Sequence, residues 1–216
     1  MINRELYMEQ ITPFIDKPFV KVITGIRRCG KSVVLRLIRE ELLRRGVSED
    51  YIIYMNFESF EWIDMKEAKA LYAHIREATK ASGKYYILLD EIQEVTDWEK
   101  AVNAFLVDLD VDIYVTGSNS RLLSSEFSTY LAGRYVAFHI MTLSFREYLL
   151  FHDLPLTISV SDRKTEFLKY LRMGGFPAIH TANYDYNAIY KIVYDIYSSV
   201  ILRDTCLLYT SPSPRD

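Results

Sequence analysis

Short apolar runs alternate with longer amphipathic stretches along the first 140 positions of the chain. The runs are rich in β-branched, aromatic and aliphatic residues, and glycine or polar residues separate them from the next stretch, a pattern typical of strands. The run at 85–89 is apolar throughout, as expected for a strand buried on both faces of a parallel sheet. The pattern predicts strands at 19–23, 51–55, 85–89, 112–116 and 135–140.

Between these runs, apolar residues recur every three or four positions, which predicts amphipathic helices. In the helix predicted at 31–45, Val34, Ile38 and Leu42 lie on one face. Strands that alternate with helices of ten to fifteen residues favour an α/β fold, in which helices flank a parallel five-stranded sheet. The other predicted helices of this part lie at 65–81, 96–109 and 119–131.

The predicted strands stop near residue 152, and only helices are predicted beyond it, at 162–172 and 184–205. Sequences of the type Ser/Thr-x-x-Glu, which cap helix N-termini through reciprocal hydrogen bonds, begin at Thr96 and Ser144. We therefore expect a first domain over 1–153 and the start of a helical region over 154–205.

The composition narrows the class of protein. The chain has 216 residues, 50% of them hydrophobic and 25% charged, with a net charge of −3. It lacks the overall positive charge of a strongly basic nucleic-acid binder, although a local basic patch is compatible with it. No stretch approaches the roughly 18 apolar residues of a membrane span, and the start lacks the apolar core of a secretory signal. Two cysteines are too few for a disulfide framework, so we expect a cytoplasmic protein without membrane contact.

The last eleven residues, CLLYTSPSPRD at 206–216, differ from the chain before them because the apolar periodicity stops. The string resembles one reading frame of a transposase adapter used in sequencing-library preparation. A natural tail rich in proline and serine is the alternative. We expect 206–216 to be an artefactual tail, which implies that natural sequence beyond Thr205 is missing.

A phosphate-binding loop is predicted at 25–32, Gly-Ile-Arg-Arg-Cys-Gly-Lys-Ser, which fits G-x-x-x-x-G-K-[ST] between a strand and a helix. The glycines let backbone N–H groups surround a phosphate, and the helix N-terminus favours an anion. Lys31 is expected to reach the β- and γ-phosphates of ATP, and the Ser32 hydroxyl to hold Mg²⁺. A glycine-rich turn with an exposed lysine is the alternative. The predicted nucleotide-binding residues are Gly25, Arg27, Arg28, Cys29, Gly30, Lys31, Ser32 and Val33.

Arg27, Arg28 and Cys29 occupy variable positions of this loop pattern. We expect only their backbones to matter for binding. A sharper hypothesis is that Cys29, beside cationic groups and a helix N-terminus, has enhanced thiolate character.

An acidic pair, Asp90 and Glu91, directly follows the apolar strand at 85–89. The carboxyl ends of strands are where open α/β sheets bind ligands. We expect Asp90 to orient Mg²⁺ or its bound water and Glu91 to act as general base on the attacking water. An acidic turn without chemistry is the alternative. The additional strand at 51–55 favours the P-loop class in which another strand separates the loop strand from the acidic strand, and so an ATP hydrolase over a small-molecule kinase.

Polar residues at the end of the strand at 112–116 are candidates for contact with the γ-phosphate or the attacking water. Ser118 is the first choice, followed by Asn119 and Thr116. Capping of the next helix by Ser118 or Asn119 is an equally weighted alternative.

Arg134 is a candidate for neutralising charge in the transition state, either in cis or from a neighbouring subunit. A surface arginine paired with a carboxylate is the alternative. Arg121 and Arg146 are weaker candidates. The four histidines show no metal-ligand spacing, and the arginines of the helix at 31–45 are interpreted as a solvated face.

These motifs occur together and in an order that resembles a family of bacterial and archaeal AAA-type ATP-binding proteins, whose cellular role is unsettled. The resemblance covers most of 1–205 and implies ATP, Mg²⁺ and an ATPase core, followed by a winged-helix-like region and a C-terminal domain of unknown function. It rests on Asn3-Arg-Glu-Leu-Tyr, on the loop at 22–32, on Leu89-Asp-Glu-Ile-Gln93 with Trp98-Glu99, on Thr116-Gly-Ser-Asn, Leu131-Ala-Gly-Arg, Leu143-Ser-Phe-Arg-Glu, Gly174-Gly-Phe-Pro and Val200-Ile-Leu-Arg-Asp204.

The sequence therefore predicts an ATPase in which Lys31 and Ser32 hold phosphates and metal, Asp90 assists the metal and Glu91 activates water. Hydrolysis would drive a conformational change in the attached C-terminal region. A nucleotide-dependent switch with little turnover and a DNA-associated ATPase are the alternatives. A protein or DNA partner would bind through the missing C-terminal part, and assembly into an oligomer is left open.

Overall fold

The computed structural model describes residues 4–80, 82–118, 122, 130–181 and 184–209, and for 200–209 it describes the backbone alone. The chain divides into two compact units. Of the described residues, those within 4–25 and 31–140 form the sheet unit, and those within 26–30 and 141–209 form the helical unit.

Five strands form one sheet in the sheet unit, and each pairs with its neighbours in parallel. Their order is β2-β3-β4-β1-β5, which confirms the predicted α/β fold with a parallel five-stranded sheet. The strand that separates β1 from β3 is β4, whereas β2 lies at the edge of the sheet. The strands are β1 (Val20–Thr24), β2 (Ile52–Asn56), β3 (Tyr85–Asp90), β4 (Val111–Gly117) and β5 (Tyr135–His139).

Helices flank this sheet and bury its apolar side chains. Every residue of β1 and β3 is buried, which explains the uninterrupted apolar run of β3. A core cluster joins these strands to α3 and α4 through Leu71, Ile75, Trp98 and Phe105. The α-helices among the described residues of the unit are α1 (Glu5–Ile11), α2 (Lys31–Arg44), α3 (Ala68–Ala78) and α4 (Trp98–Asp108).

A buried polar cluster lies at the amino-terminal edge of the sheet. The ammonium of Lys21 on β1 forms an ion pair with Asp112 on β4, and both side chains are buried. Asp112 also accepts hydrogen bonds from the Asp16 backbone N–H and the Tyr114 hydroxyl, each at 2.8 Å. Lys21 donates to the Lys17 carbonyl at 2.9 Å. Burial lowers the pKa of Lys21, and the charge of Asp112 opposes that shift.

The described part of the helical unit contains three α-helices and the short 3₁₀ helix Pro177–His180. The α-helices are α5 (Phe145–Phe151), α6 (Val160–Met173) and α7 (Tyr186–Tyr209). The capping box predicted at Ser144 is confirmed, since its hydroxyl accepts from the Glu147 N–H and the Glu147 carboxylate accepts from the Ser144 N–H. None of the described helices is long and apolar enough to cross a membrane.

Two of the sequence motifs of the helical unit meet each other. Gly174 ends α6 with φ +76°, a conformation that L side chains rarely adopt. The Leu143 N–H donates to the Gly175 carbonyl at 2.7 Å. A Cβ on Gly175 would lie 2.5 Å from the Leu143 carbonyl oxygen, so only glycine fits there. The Tyr170 hydroxyl donates to that same oxygen at 2.7 Å. The Leu143 and Gly174 motifs are therefore packing partners.

Several predicted elements need correction at their ends. The capping box at Thr96 is wrong: α4 begins at Trp98, and Asp97 precedes it with a left-handed φ of 57° and no side-chain cap. The last helix runs to Tyr209 rather than ending at Thr205. Most of the helix predicted at 119–131 lies outside the described residues.

Candidate nucleotide site

The carboxyl ends of β1, β3 and β4 lie at one edge of the sheet because the strands are parallel and adjacent in the order β3-β4-β1. β1 leads into Gly25, β3 ends at Asp90 and β4 ends at Gly117. This is the edge at which open α/β sheets bind ligands. The sheet thus brings together the two motifs that the sequence singled out, with one strand between them.

The loop after β1 has a backbone that needs its glycines. Gly25 has φ +151° and Gly30 has φ +106°, and Arg28 also has a positive φ of 65°. Within the loop, the Cys29 N–H donates to the Ile26 carbonyl at 3.3 Å. α2 begins directly after Gly30, at Lys31.

The side chains of the loop differ in exposure. Arg27 and Arg28 are exposed, whereas Ser32 and Val33 are half-buried in the first turn of α2. Cys29 is a buried free cysteine. Burial is a poor setting for a reactive thiolate, so the sharper hypothesis about Cys29 is not favoured.

Lys31 is placed next to the predicted general base. Its ammonium lies 3.5 Å from Glu91 Oε1 and donates to the Gly25 carbonyl at 3.3 Å. The side chain of Lys31 is 3% exposed and that of Glu91 is 16% exposed, so solvent screens this ion pair only weakly.

Asp90 is fully buried, and the two neighbouring strands hold its two carboxylate oxygens. The Tyr54 hydroxyl on β2 donates to Oδ2 at 3.1 Å, and the Thr116 hydroxyl on β4 donates to Oδ1. Burial raises the pKa of Tyr54, and the charge of Asp90 adds to the shift, so this hydroxyl keeps its proton as a donor.

Glu91 adopts a left-handed conformation with φ +53°, which is uncommon for a residue with a side chain. Its N–H donates to the Thr116 hydroxyl oxygen at 2.9 Å. Gln93 donates from Nε2 to Glu91 Oε2 at 2.5 Å. The Glu91 carboxylate therefore has Lys31 on one oxygen and Gln93 on the other.

The polar residues at the end of β4 differ in burial and in contacts. Thr116 is buried and its hydroxyl is bound to Asp90 and Glu91, which makes it a poorer candidate than Ser118 for contact with the γ-phosphate or the attacking water. Ser118 is half-buried just after β4, and its carbonyl accepts from the Leu122 N–H at 3.1 Å. Asn119 lies outside the described residues.

Arg134 is not brought to this edge. It directly precedes β5, its carbonyl accepts from the Val20 N–H at the start of β1, and its guanidinium donates to Asn103 at 3.0 Å. Arg134 therefore lies at the amino-terminal edge of the sheet. The five residues of β1 separate this edge from Gly25, a distance of about 16 Å at 3.3 Å per residue. This position does not favour a role for Arg134 in cis, and a contribution from a neighbouring subunit stays a prediction. Arg121 lies outside the described residues, and Arg146 belongs to the helical unit.

The donors at the site suit Mg²⁺ bound together with a nucleotide. Among the described residues, no group of three or more His, Cys, Asp and Glu side chains is arranged to hold a metal ion by itself. Mg²⁺ is commonly bound through one or two protein oxygens, with phosphates and water completing its shell. The Ser32 hydroxyl and the buried Asp90 carboxylate are hard oxygen ligands of this kind.

Comparison with known proteins assigns the chain to a protein family. The sequence profile described as the AAA domain matches residues 17–149, more than half of the chain. The chain belongs to the AAA domain family. The match includes the phosphate loop, the acidic pair and all five strands of the sheet.

Relatives of this AAA protein occur in a bacterium and an archaeon. An uncharacterised protein of Haemophilus influenzae is 41% identical over 205 residues, which cover 94% of this chain and 50% of the relative. The uncharacterised protein MJ1544 of Methanocaldococcus jannaschii is 34% identical over 209 residues, which cover 94% of this chain and 44% of the relative. The chain spans about half the length of these curated relatives.

Two solved structures share the fold. The Walker-type ATPase PABY2304 of Pyrococcus abyssi matches with a TM-score of 0.58 and 13% identity, over 97% of this chain and 76% of that protein. AMPPCP-bound DnaA from Aquifex aeolicus matches with a TM-score of 0.53 and 16% identity, over 83% of this chain and 60% of that protein. At these identities the similarity supports the P-loop ATPase fold of this AAA protein and not a particular activity.

The contacts of Tyr54 and Gln93 are not evident from the sequence. Tyr54 has the pattern of an ordinary strand residue, and nothing local indicates that its hydroxyl reaches Asp90. Gln93 had a signal, since it follows Glu91 by two residues and belongs to the string Leu-Asp-Glu-Ile-Gln that carried the family resemblance.

Proposed function

We propose that this AAA protein binds ATP with Mg²⁺ and hydrolyses it by in-line attack of water. The observation that carries the proposal is the pairing of Lys31 in the phosphate loop with Glu91 after the acidic strand, beside the buried carboxylate of Asp90. The AAA family membership and the shared P-loop ATPase fold support it.

In the proposed mechanism, the loop at 25–32 surrounds the phosphates with backbone N–H groups, and Lys31 moves from Glu91 to the β- and γ-phosphates. Ser32 and Asp90 would hold Mg²⁺, directly or through water. Bound Mg²⁺ supplies positive charge that stabilises the phosphate oxygens during transfer.

Glu91 then acts as general base. Its carboxylate takes a proton from the attacking water as the oxygen of that water bonds to the γ-phosphorus. The bond from the γ-phosphorus to the β–γ bridging oxygen breaks, and ADP leaves with the electron pair. Ser118 is kept as a proposed contact to the γ-phosphate or the water, and Arg134 as a proposed contribution from a neighbouring subunit.

Glu91→Gln is the test. This variant keeps the size of the side chain and removes the base, so it should bind ATP and lose most turnover, since general bases contribute about 10²- to 10⁴-fold. Lys31→Ala is the matched binding variant and should lose affinity for ATP and ADP alike. Equal, slow turnover of wild type and Glu91→Gln would exclude Glu91 as base.

A nucleotide-dependent switch with little turnover is the second candidate, and the Lys31–Glu91 contact favours it too. Phosphate binding would break this ion pair of weakly solvated side chains, which gives the site two arrangements. Binding of ATP, without rapid hydrolysis, would then change the conformation of the helical region proposed at 154–205. Comparison of protease sensitivity with ATP and with ADP would detect the change.

A further inference from the structure

Gln93 is placed between the proposed base and the end of β4. It lies in the short 3₁₀ turn Ile92–Glu94, which directly follows Glu91. Its amide Nε2 donates to Glu91 Oε2 at 2.5 Å, whereas Glu91 Oε1 lies 3.5 Å from the Lys31 ammonium. Each carboxylate oxygen of the proposed base thus has its own donor.

The absence of a side chain at Gly117 makes room for the Gln93 amide. A Cβ on Gly117 would collide with Gln93 Oε1 and would lie 2.7 Å from Leu122 Cδ1. The glutamine side chain therefore packs closely against the end of β4, with its Nε2 bonded to Glu91.

The other end of the amide has no such bond. Gln93 Oε1 is buried, and among the described residues it has no hydrogen-bond partner. Burying an acceptor without a partner is unfavourable, and such groups are uncommon in native proteins. The unpaired Oε1 is consistent with a side chain whose role is to donate a hydrogen bond from Nε2 to Glu91.

The two donors to Glu91 would behave differently when nucleotide binds. Lys31 would be drawn to the phosphates, because they carry more negative charge than one carboxylate. Gln93 is neutral and would keep its bond. We propose that Gln93 is a positioning residue that holds the Glu91 carboxylate in place for proton abstraction after Lys31 has moved away. This inference rests on the proposed hydrolysis of ATP with Glu91 as base.

Gln93→Met tests the proposal, because methionine has a similar length and shape but no donor. We expect kcat to fall about ten- to hundredfold, as for loss of a hydrogen bond to a charged group, with little change in KM for ATP. Gly117→Ala should reproduce the effect by displacing the amide. Melting temperatures of both variants show whether the fold is retained.

Gln93→Glu gives a readout that a purely structural role would not move. It replaces the amide that donates to Glu91 by a carboxylate of nearly the same shape, which offers no hydrogen bond to a second carboxylate. We therefore expect kcat to fall at least as far as in Gln93→Met while KM for ATP changes little. Wild-type kcat in a folded Gln93→Glu protein would contradict direct contact with the base.

A double variant decides whether Gln93 acts through Glu91. In the Glu91→Gln background, Gln93→Met should cause no further loss of kcat, since the base is already absent. A full additional loss there, or wild-type kcat in a folded Gln93→Met protein, would overturn the proposal while leaving ATP hydrolysis intact. If wild type shows no turnover above Glu91→Gln, the proposed hydrolysis itself fails, and the positioning role with it.

Discussion

Replacement of Asp112 by alanine should destabilise the sheet unit more than any surface change, because it leaves the Lys21 charge buried. Lys21 has no exposed surface, and after the change its described polar contacts are the Lys17 carbonyl at 2.9 Å and the Tyr114 ring, whose centre lies 5.2 Å from the ammonium. Removing one partner of a buried ion pair typically costs about 3–5 kcal/mol. The Asp16 N–H and the Tyr114 hydroxyl also lose an acceptor, so the upper half of that range is expected.

Both tryptophans of the chain, Trp62 and Trp98, belong to the sheet unit, so tryptophan fluorescence reports on that unit. In a protein of this size about 1 kcal/mol shifts the melting temperature by roughly 2–4 °C. Asp112→Ala should therefore melt at least about 6 °C below wild type. Asp110→Ala, two positions away and exposed, is the matched control and should stay within about 0.5 kcal/mol of wild type.

A double variant checks the cause. Lys21→Met with Asp112→Asn leaves no buried charge and keeps an acceptor for the Tyr114 hydroxyl, so it should be more stable than Asp112→Ala. Two results would refute a buried, unpaired Lys21 charge as the cause. One is an equal melting temperature for Asp112→Ala and Asp110→Ala, and the other is a double variant less stable than Asp112→Ala. Because this cluster lies at the edge opposite the phosphate loop, KM for ATP should not change while the protein is folded.

Three further predictions concern the acidic turn and the helical unit. Thr116→Val keeps the shape but removes the hydroxyl shared by Asp90 and Glu91, so kcat should fall about tenfold or more and Thr116→Ser should restore it in an ATPase assay. Gly175→Ala should cost about 1–3 kcal/mol in a chemical denaturation experiment, because its Cβ would meet a backbone oxygen. Burial lowers the pKa of His180, so its stabilising contribution is present above about pH 6.5, the usual unfolded value, and is lost as pH falls through the folded pKa. His180→Gln should therefore show a smaller loss of melting temperature between pH 7.5 and 5.5 than wild type.

The elements that could be predicted from the sequence are those set by local patterns. The apolar run of β3 and the glycine spacing of the loop each reflect a requirement of their own segment. The predicted start of α4 at Thr96 is wrong because Asp97 adopts a left-handed conformation. A capping pattern of four residues does not reveal that conformation.

The position of Arg134 could have been anticipated. A residue that precedes a strand lies at the amino-terminal edge of a parallel sheet, opposite a loop that follows a strand. Arg134 directly precedes β5, which begins at Tyr135, whereas the phosphate loop follows β1. Because β1 and β5 are parallel, Arg134 and the phosphate loop must lie at opposite edges of the sheet. Contacts that depend on strand register, such as that of Tyr54 with Asp90, could not be anticipated in this way.

The register of β3 with β4 explains why β4, rather than the loop strand, organises the acidic turn. Leu89 pairs with Val115, so the next residue of each strand brings Asp90 beside Thr116. Thr116 then binds both acidic residues, and Gly117 leaves space for the amide that holds Glu91. Nucleotide affinity should therefore depend mainly on the loop after β1, and turnover on the end of β4. Substitutions at these two places should change KM and kcat separately, which a single undivided site would not allow.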